Sequence, residues 1–179
     1  MNIDEKIVSF LRSQKGLKNA TIGRTRISAQ LNKDGEKLLY VRASILEKKL
    51  GINYSNKSIY YAFDVNGNYV GCVKISVLNN IPPTQVEMEY WANEEYKNKG
   101  NMTIIAQEVI KEVFVDNEFD NLRVRDNEPT SNIDTIMVVI NQDNYASLAI
   151  AKKLGFDENG MLYKEDYLKK TKDSTSINI

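Results

Sequence analysis

The sequence predicts one α/β (α+β) domain, a mixed, mostly antiparallel sheet with helices on its faces. Three observations predict it. Apolar residues change spacing along the chain in the order helix, hairpin, strand, helix, strand, helix, strand. Asn66-Gly67 stands between two strand-like runs, the mark of a tight hairpin turn. No repeat and no linker divides the 179 residues, a length that suits one domain with a real core. Residues 1–170 read as that domain and 171–179 as a flexible tail.

The elements follow in order. Ile3, Ile7 and Leu11 recur at helical spacing and predict an amphipathic first helix. A polar stretch with Gly16 and Gly23 comes next. Leu38, Leu39, Arg42, Ile45, Leu46 and Leu50 predict a second helix that stops at Gly51. Residues 58–65 and 68–78 read as hairpin strands, with positive φ expected at both Asn66 and Gly67. After Pro82-Pro83, residues 85–92 (QVEMEYWA) read as a strand and 101–115 as a helix. The acidic segment 116–133 predicts a loop with a short strand at 121–125. Residues 134–140 (DTIMVVI) predict a fully buried strand, 144–154 a helix ended by Gly155, and 161–168 a last strand.

Composition narrows the chemistry. Lys plus Arg and Asp plus Glu both number 24, so net charge points to neither direct nucleic-acid binding nor a membrane surface. Cys72 is the single cysteine, which suits a reducing compartment. The start, MNIDEKI, has acids where a secretory signal has bases, and no run reaches the ~20 apolar residues of a membrane span. A cytoplasmic location is the expectation. With no histidine, Ser-His and Cys-His sites and His-ligated metals are excluded. A general base must be a carboxylate, a tyrosine or a held water, and no metal site is expected.

Two segments carry candidate chemistry. In the first, a strand feeds the basic, glycine-containing loop Lys97-Asn98-Lys99-Gly100-Asn101-Met102-Thr103 at a helix start. Free N–H groups and the helix dipole favour an anion there, and Gly100 lets backbone approach it. The same pattern also suits a plain helix entry with solvated lysines. In the second, Asn144 opens a helix and Ser147 follows one turn on. Asn144 either holds an amide-bearing ligand or caps its own helix.

Taken together, Glu87-Met88-Glu89-Tyr90-Trp91, the 97–103 loop, Asn144-Tyr145-Ala146-Ser147 and Lys152-Lys153-Leu154-Gly155-Phe156 resemble the Gcn5-related N-acetyltransferase (GNAT) family. Within it they look most like the ribosomal-protein-alanine acetyltransferase (RimJ/RimL-like) branch. The resemblance covers residues 60–168. The chain departs from the pattern at Lys97, where the family has Arg or Gln, at Met102, where it has a small residue, and at Glu89, where the branch has a small one. Ala151 stands where many members carry a tyrosine acid, and 116–133 is longer than usual.

The resemblance implies a central sheet whose strands 85–92 and 134–140 splay apart, helped by a bulge. It implies acetyl-CoA as co-substrate, with the pantetheine arm on Trp91 and Ala92 and the diphosphate on residues 98–103. Asn144 would face the arm, and Ser147 and Lys153 are further cofactor candidates. An amine would attack the thioester directly. Glu87 and Glu89 share one strand face, so either could be the base, Glu87 matching the branch; both could equally be structural. A backbone N–H near Ala92 is the candidate for polarising the thioester carbonyl. Tyr145 or a water is the candidate acid. Tyr90 and Trp91 line the acceptor cleft or pack in the core, and the acids of 116–133 attract a cationic amine or are simply solvated. The acceptor is a protein N-terminus or lysine, or else a polyamine or aminoglycoside; a catalytically inactive CoA-binding module is the reading from another class. The expected assembly is a monomer or homodimer.

Overall fold

A computed structural model of the protein describes residues 2–49, 52–77, 84–116 and 133–177. Among them are eight strands and four helices. In chain order these are α1 (Ile3–Ser13), β1 (Ala20–Ile22), β2 (Arg26–Ile27), β3 (Leu39–Lys49), β4 (Ile52–Phe63), β5 (Tyr69–Val77), β6 (Gln85–Ala92), α2 (Asn101–Phe114), β7 (Thr135–Met137), α3 (Tyr145–Leu154), β8 (Met161–Tyr163) and α4 (Lys164–Ile177). One sheet runs β1-β3-β4-β5-β6-β7-β8, with β2 also on β3; every pair is antiparallel except β6–β7.

Helices cover both faces. On one, Ile7, Phe10 and Leu11 of α1 pack on Val41, Ala43, Tyr61, Phe63 and Cys72. Asn2 caps α1 through a capping box with Glu5. On the other, Met102, Ile105, Ala106, Val109 and Val113 of α2 pack with Val73, Ile75, Val86, Met88 and Ile136. β6 therefore alternates: Val86, Met88, Tyr90 and Ala92 face α2, while Glu87, Glu89 and Trp91 face the α1 side.

Several expectations are corrected. The second predicted helix is strand β3 over its described part; Leu50 and Gly51 lie outside the described residues. Leu38 and Tyr40 enter the core under α2, and Val41 and Ala43 enter the core under α1. A strand covered on both faces is apolar at consecutive positions, which imitates helical spacing. The hairpin turn also differs. Gly67 has φ +81° but Asn66 is not positive, and the bonds Gly67 N–H to Asp64 O (3.0 Å) and Asp64 N–H to Asn68 O (2.9 Å) close a longer turn. The run 134–140 is strand only at Thr135–Met137, and Val139 is 71% exposed. The last strand stops at Tyr163, and α4 runs from Lys164 to Ile177. The predicted strand at 121–125 and the acids Glu118, Asp120, Asp126 and Glu128 lie outside the described residues.

Asp64 organises the turn and ties it to the next segment. Its carboxylate accepts from the N–H groups of Asn66 and Asn68, from Asn68 Nδ2, and from Tyr96 Oη at 3.1 Å. Burial raises its pKa, but these donors outweigh that and hold it below the ordinary value. A lowered folded pKa contributes stability that is complete above the unfolded value of about 4 and is lost as pH falls through the folded one. Melting temperature followed against pH should therefore show an acid decline that flattens in Asp64→Asn; an unchanged acid slope in the variant would remove Asp64 from this role.

Candidate functional site

The site begins where two strands part. β6 and β7 pair in parallel through Gln85↔Thr135, Val86↔Ile136 and Glu87↔Met137, and then stop. β6 continues against β5 without interruption from Val77↔Val86 to Gly71↔Ala92. β7 instead turns away, and Val138 N–H bonds to Gly160 O at 2.8 Å. From Met88 to Ala92, one edge of β6 thus lacks a strand partner among the described residues. The splay implied by the resemblance is present. The bulge is not: the β5–β6 register is unbroken, so β7 makes the opening by leaving.

A cleft of about 380 Å³ occupies the fork, between β6, the start of α2 and the face of α3. Of the predicted cofactor positions, Trp91, Ala92, Lys97, Asn98, Gly100, Asn101, Met102, Thr103, Asn144, Ser147 and Lys153 line it. Lys99 does not; its ammonium lies 3.6 Å from Asp34 and over the Tyr96 ring. Glu87, Glu89 and Tyr145 do not line it either. The two glutamates project from the opposite face of β6, and Tyr145 is 77% exposed.

Local chemistry explains the floor of the cleft. The N-cap of α2 is Gly100, at φ +79°, and no side chain caps the helix. Asn98 is also left-handed, at φ +65°. The helix therefore begins with uncapped N–H groups, the partial positive end of its dipole, beside Lys33, Lys97 and Lys153. An anion of phosphate type fits this donor set. The side chain of Asn101, 3% exposed, turns inward instead: Oδ1 accepts from Asn32 Nδ2 at 2.7 Å and Nδ2 donates to Tyr96 O. Met102 is buried against the sheet.

The α3 wall is fixed from both ends. Asn144 Oδ1 accepts from Ser147 N–H at 3.2 Å, so this residue caps its helix while lining the cleft, and Gly155 closes the helix at φ +99°. Tyr90 spans from β6 and donates to Ser147 O at 2.6 Å. Burial pushes its phenol up to about 12, against the lowering effect of a hydrogen bond from the Ala151 backbone, so it stays protonated at neutral pH.

The wall residues Ala146, Ala149 and Ile150, and Tyr96 and Lys33, were not among the sequence candidates for the cofactor. Ala146, Ala149, Ile150 and Lys153 repeat at helical spacing, a readable stripe with small residues where a ligand needs room. Lys33 comes from the β2–β3 loop and has no local signal.

The profile of the "Acetyltransferase (GNAT) domain" matches residues 19–157. No curated protein sequence matches the chain. Among solved structures, a substituted form of the spermidine N-acetyltransferase SpeG from Vibrio cholerae is similar at TM-score 0.52 and 15% identity, over 65% of this chain and 69% of that one. A second SpeG variant, described as a spermidine/spermine N-acetyltransferase, is similar at TM-score 0.51 and 15% identity, over 64% and 71%. RimL, described as a ribosomal L7/L12 alpha-N-protein acetyltransferase in complex with coenzyme A, aligns at TM-score 0.43 and 18% identity over 57% of this chain and 48% of that one. No helix among the described residues is long and apolar enough to cross a membrane. With the profile spanning most of its length, this chain belongs to the GNAT acetyltransferase family and is an acetyl-CoA-dependent N-acetyltransferase.

Proposed function

We propose that the protein acetylates a primary amine of another protein, an N-terminal α-amine first and a lysine second, as the RimJ/RimL-like branch of the family would. The observation that carries the reading is the end of β6–β7 pairing at Glu87↔Met137, with the cleft opening directly beyond it. An unpaired strand edge offers N–H and C=O groups at regular spacing, and the two amides of a pantetheine arm can complete it as an added strand would. The arm lies along Trp91 and Ala92, the diphosphate on the amides of residues 98–103, and Asn144 and Ser147 face the arm from α3. Acetyl-CoA supplies the activated acyl group.

The acceptor enters from the α1 side of β6, where Glu87, Glu89 and Trp91 project. Glu87 takes a proton from the acceptor's ammonium, directly or through a water, and the neutral amine then attacks the thioester carbon and displaces the CoA thiolate. An N–H near Ala92 polarises the thioester carbonyl as charge develops on its oxygen. Tyr145 is 77% exposed and does not line the cleft, which supports a water as the group that returns the proton to the CoA thiolate. A second reading, a polyamine or other small cationic acceptor, is favoured by the same two carboxylates beside an aromatic ring 48% exposed.

The test is release of CoA thiol from acetyl-CoA in the presence of a panel of acceptors. Turnover with N-terminal peptides of ribosomal proteins and none with spermidine is the expected result. The reverse pattern would move the assignment to the small-molecule reading. Binding of acetyl-CoA with no turnover on any acceptor would make the chain a CoA-binding module.

A further inference from the structure

The loop between β2 and β3 brings Lys33 to the cleft, and it is held in place at several points. Ser28, 1% exposed, closes its base: its N–H donates to Leu38 O at 2.8 Å and its hydroxyl oxygen accepts from Leu38 N–H at 3.0 Å. Asn32 orders the tip, its Oδ1 accepting from the N–H groups of Asp34 and Glu36 at 3.0 and 2.9 Å. Three further bonds fasten the loop to α2 and the turn before it. Ala29 N–H donates to Glu108 at 2.6 Å, Asn32 Nδ2 to the buried Asn101 at 2.7 Å, and Lys33 N–H to Lys99 O at 3.0 Å.

Lys33 therefore projects from a backbone whose position is already fixed, so little further ordering is needed to present it. Its stem passes over Gly100: a Cβ added to that glycine would stand 3.5 Å from Lys33 Cγ. The charge around it is one-sided. Lys33, Lys97 and Lys153 line the cleft, and no Asp or Glu does. Lys97 is engaged by Glu94 at 2.7 Å, and Lys99, just outside, by Asp34 at 3.6 Å. Among the described residues no carboxylate pairs with Lys33.

The geometry points to Lys33 as a diphosphate ligand of acetyl-CoA, an ammonium carried by the β2–β3 loop and set beside the uncapped amides at Gly100. It rests on the proposed function and adds to it a wall from the N-terminal part of the chain. The amides grip the anion from the helix end, and Lys33 neutralises it from the loop side. The choice of diphosphate over the 3′-phosphate follows from the stem's position at the helix N-cap, where an anion is nearest the free N–H groups.

The test is titration calorimetry with CoA and with dephospho-CoA, which keeps the diphosphate and lacks the 3′-phosphate. The proteins are wild type, Lys33→Gln, Lys33→Arg and Lys37→Gln; Lys37 is exposed on the same loop and does not line the cleft. Lys33→Gln is expected to weaken both ligands by about tenfold, as loss of one charge-assisted hydrogen bond does. Lys33→Arg should recover most of that, and Lys37→Gln should bind as wild type. Equal CoA affinity in Lys33→Gln and wild type would overturn the assignment. So would a loss confined to CoA, because that places Lys33 on the 3′-phosphate. A wild-type protein that binds neither ligand would sink the proposed function itself, and this inference with it.

Discussion

Glu87→Gln is expected to lower kcat about 100- to 10,000-fold at saturating acetyl-CoA, the range that loss of a general base produces. The affinity for CoA should be unchanged, since Glu87 does not line the cleft that would hold the co-substrate. The reasoning is positional. Glu87 is the last residue of β6 paired on both sides, with Ser76 across from it on β5 and Met137 on β7. It therefore stands at the vertex of the fork, held by two strands, close to where an acyl group on an arm running down the β6 edge would end. Glu89 lies two residues further along the same face, with Lys74 directly across from it. A lysine there repels the ammonium of an approaching acceptor, whereas a serine does not. Glu89→Gln should accordingly cost less than Glu87→Gln. The measurement is kcat from thiol release with the best acceptor of the panel, alongside CoA affinity and melting temperature. Full turnover in Glu87→Gln with a dead Glu89→Gln would transfer the role to Glu89.

The parts of the site that were legible in the sequence are those with local punctuation. Gly100 and Gly155 both take positive φ, and each bounds a helix where its position in the pattern said it would. β6 was readable to the residue because its alternation survives, one face under α2 and the other open. Where tertiary context removed the pattern, the reading failed. β3 is covered on both faces, so its apolar positions run together and mimic a helix. β7 shares its apolar run with a fork, so only three residues remain strand and Val139 is left outside. The hairpin was found from Asn66-Gly67, but the turn was decided by Asp64, whose carboxylate gathers four donors. The side chain of Asn101 is buried on Asn32, a partner that arrives from a loop far away in sequence. Lys33 arrives the same way. Contacts made by loops across the fold leave no periodic trace in either segment.

The other large effect is expected at Gly71, and it tests how the cradle is held in place. Gly71 lies on β5 opposite Ala92, under the first turn of α2. A Cβ there would overlap both Met102 Sδ and Trp91 O. Met102 can give, since a thioether is flexible. The carbonyl oxygen cannot, since it belongs to the neighbouring strand and moves only if the β5–β6 ladder opens. Gly71→Ala should therefore destabilise the fold by about 3 kcal/mol, the scale of an overpacked core. For a domain of this size that is a fall of roughly 10 °C in melting temperature. CoA affinity should fall in the surviving folded protein as well. Met102 follows directly on Asn101 in the uncapped first turn of α2, whose N–H groups would grip the proposed diphosphate, so displacing it would tilt those donors. Adding Met102→Ala separates the two contributions. It frees the sulfur overlap and leaves the carbonyl overlap, so Gly71→Ala with Met102→Ala should recover only part of the stability. A full recovery would show that the helix alone, and not the strand pair, sets the limit at this position; no loss in Gly71→Ala would show that the sheet and α2 are not packed as closely as this fold requires.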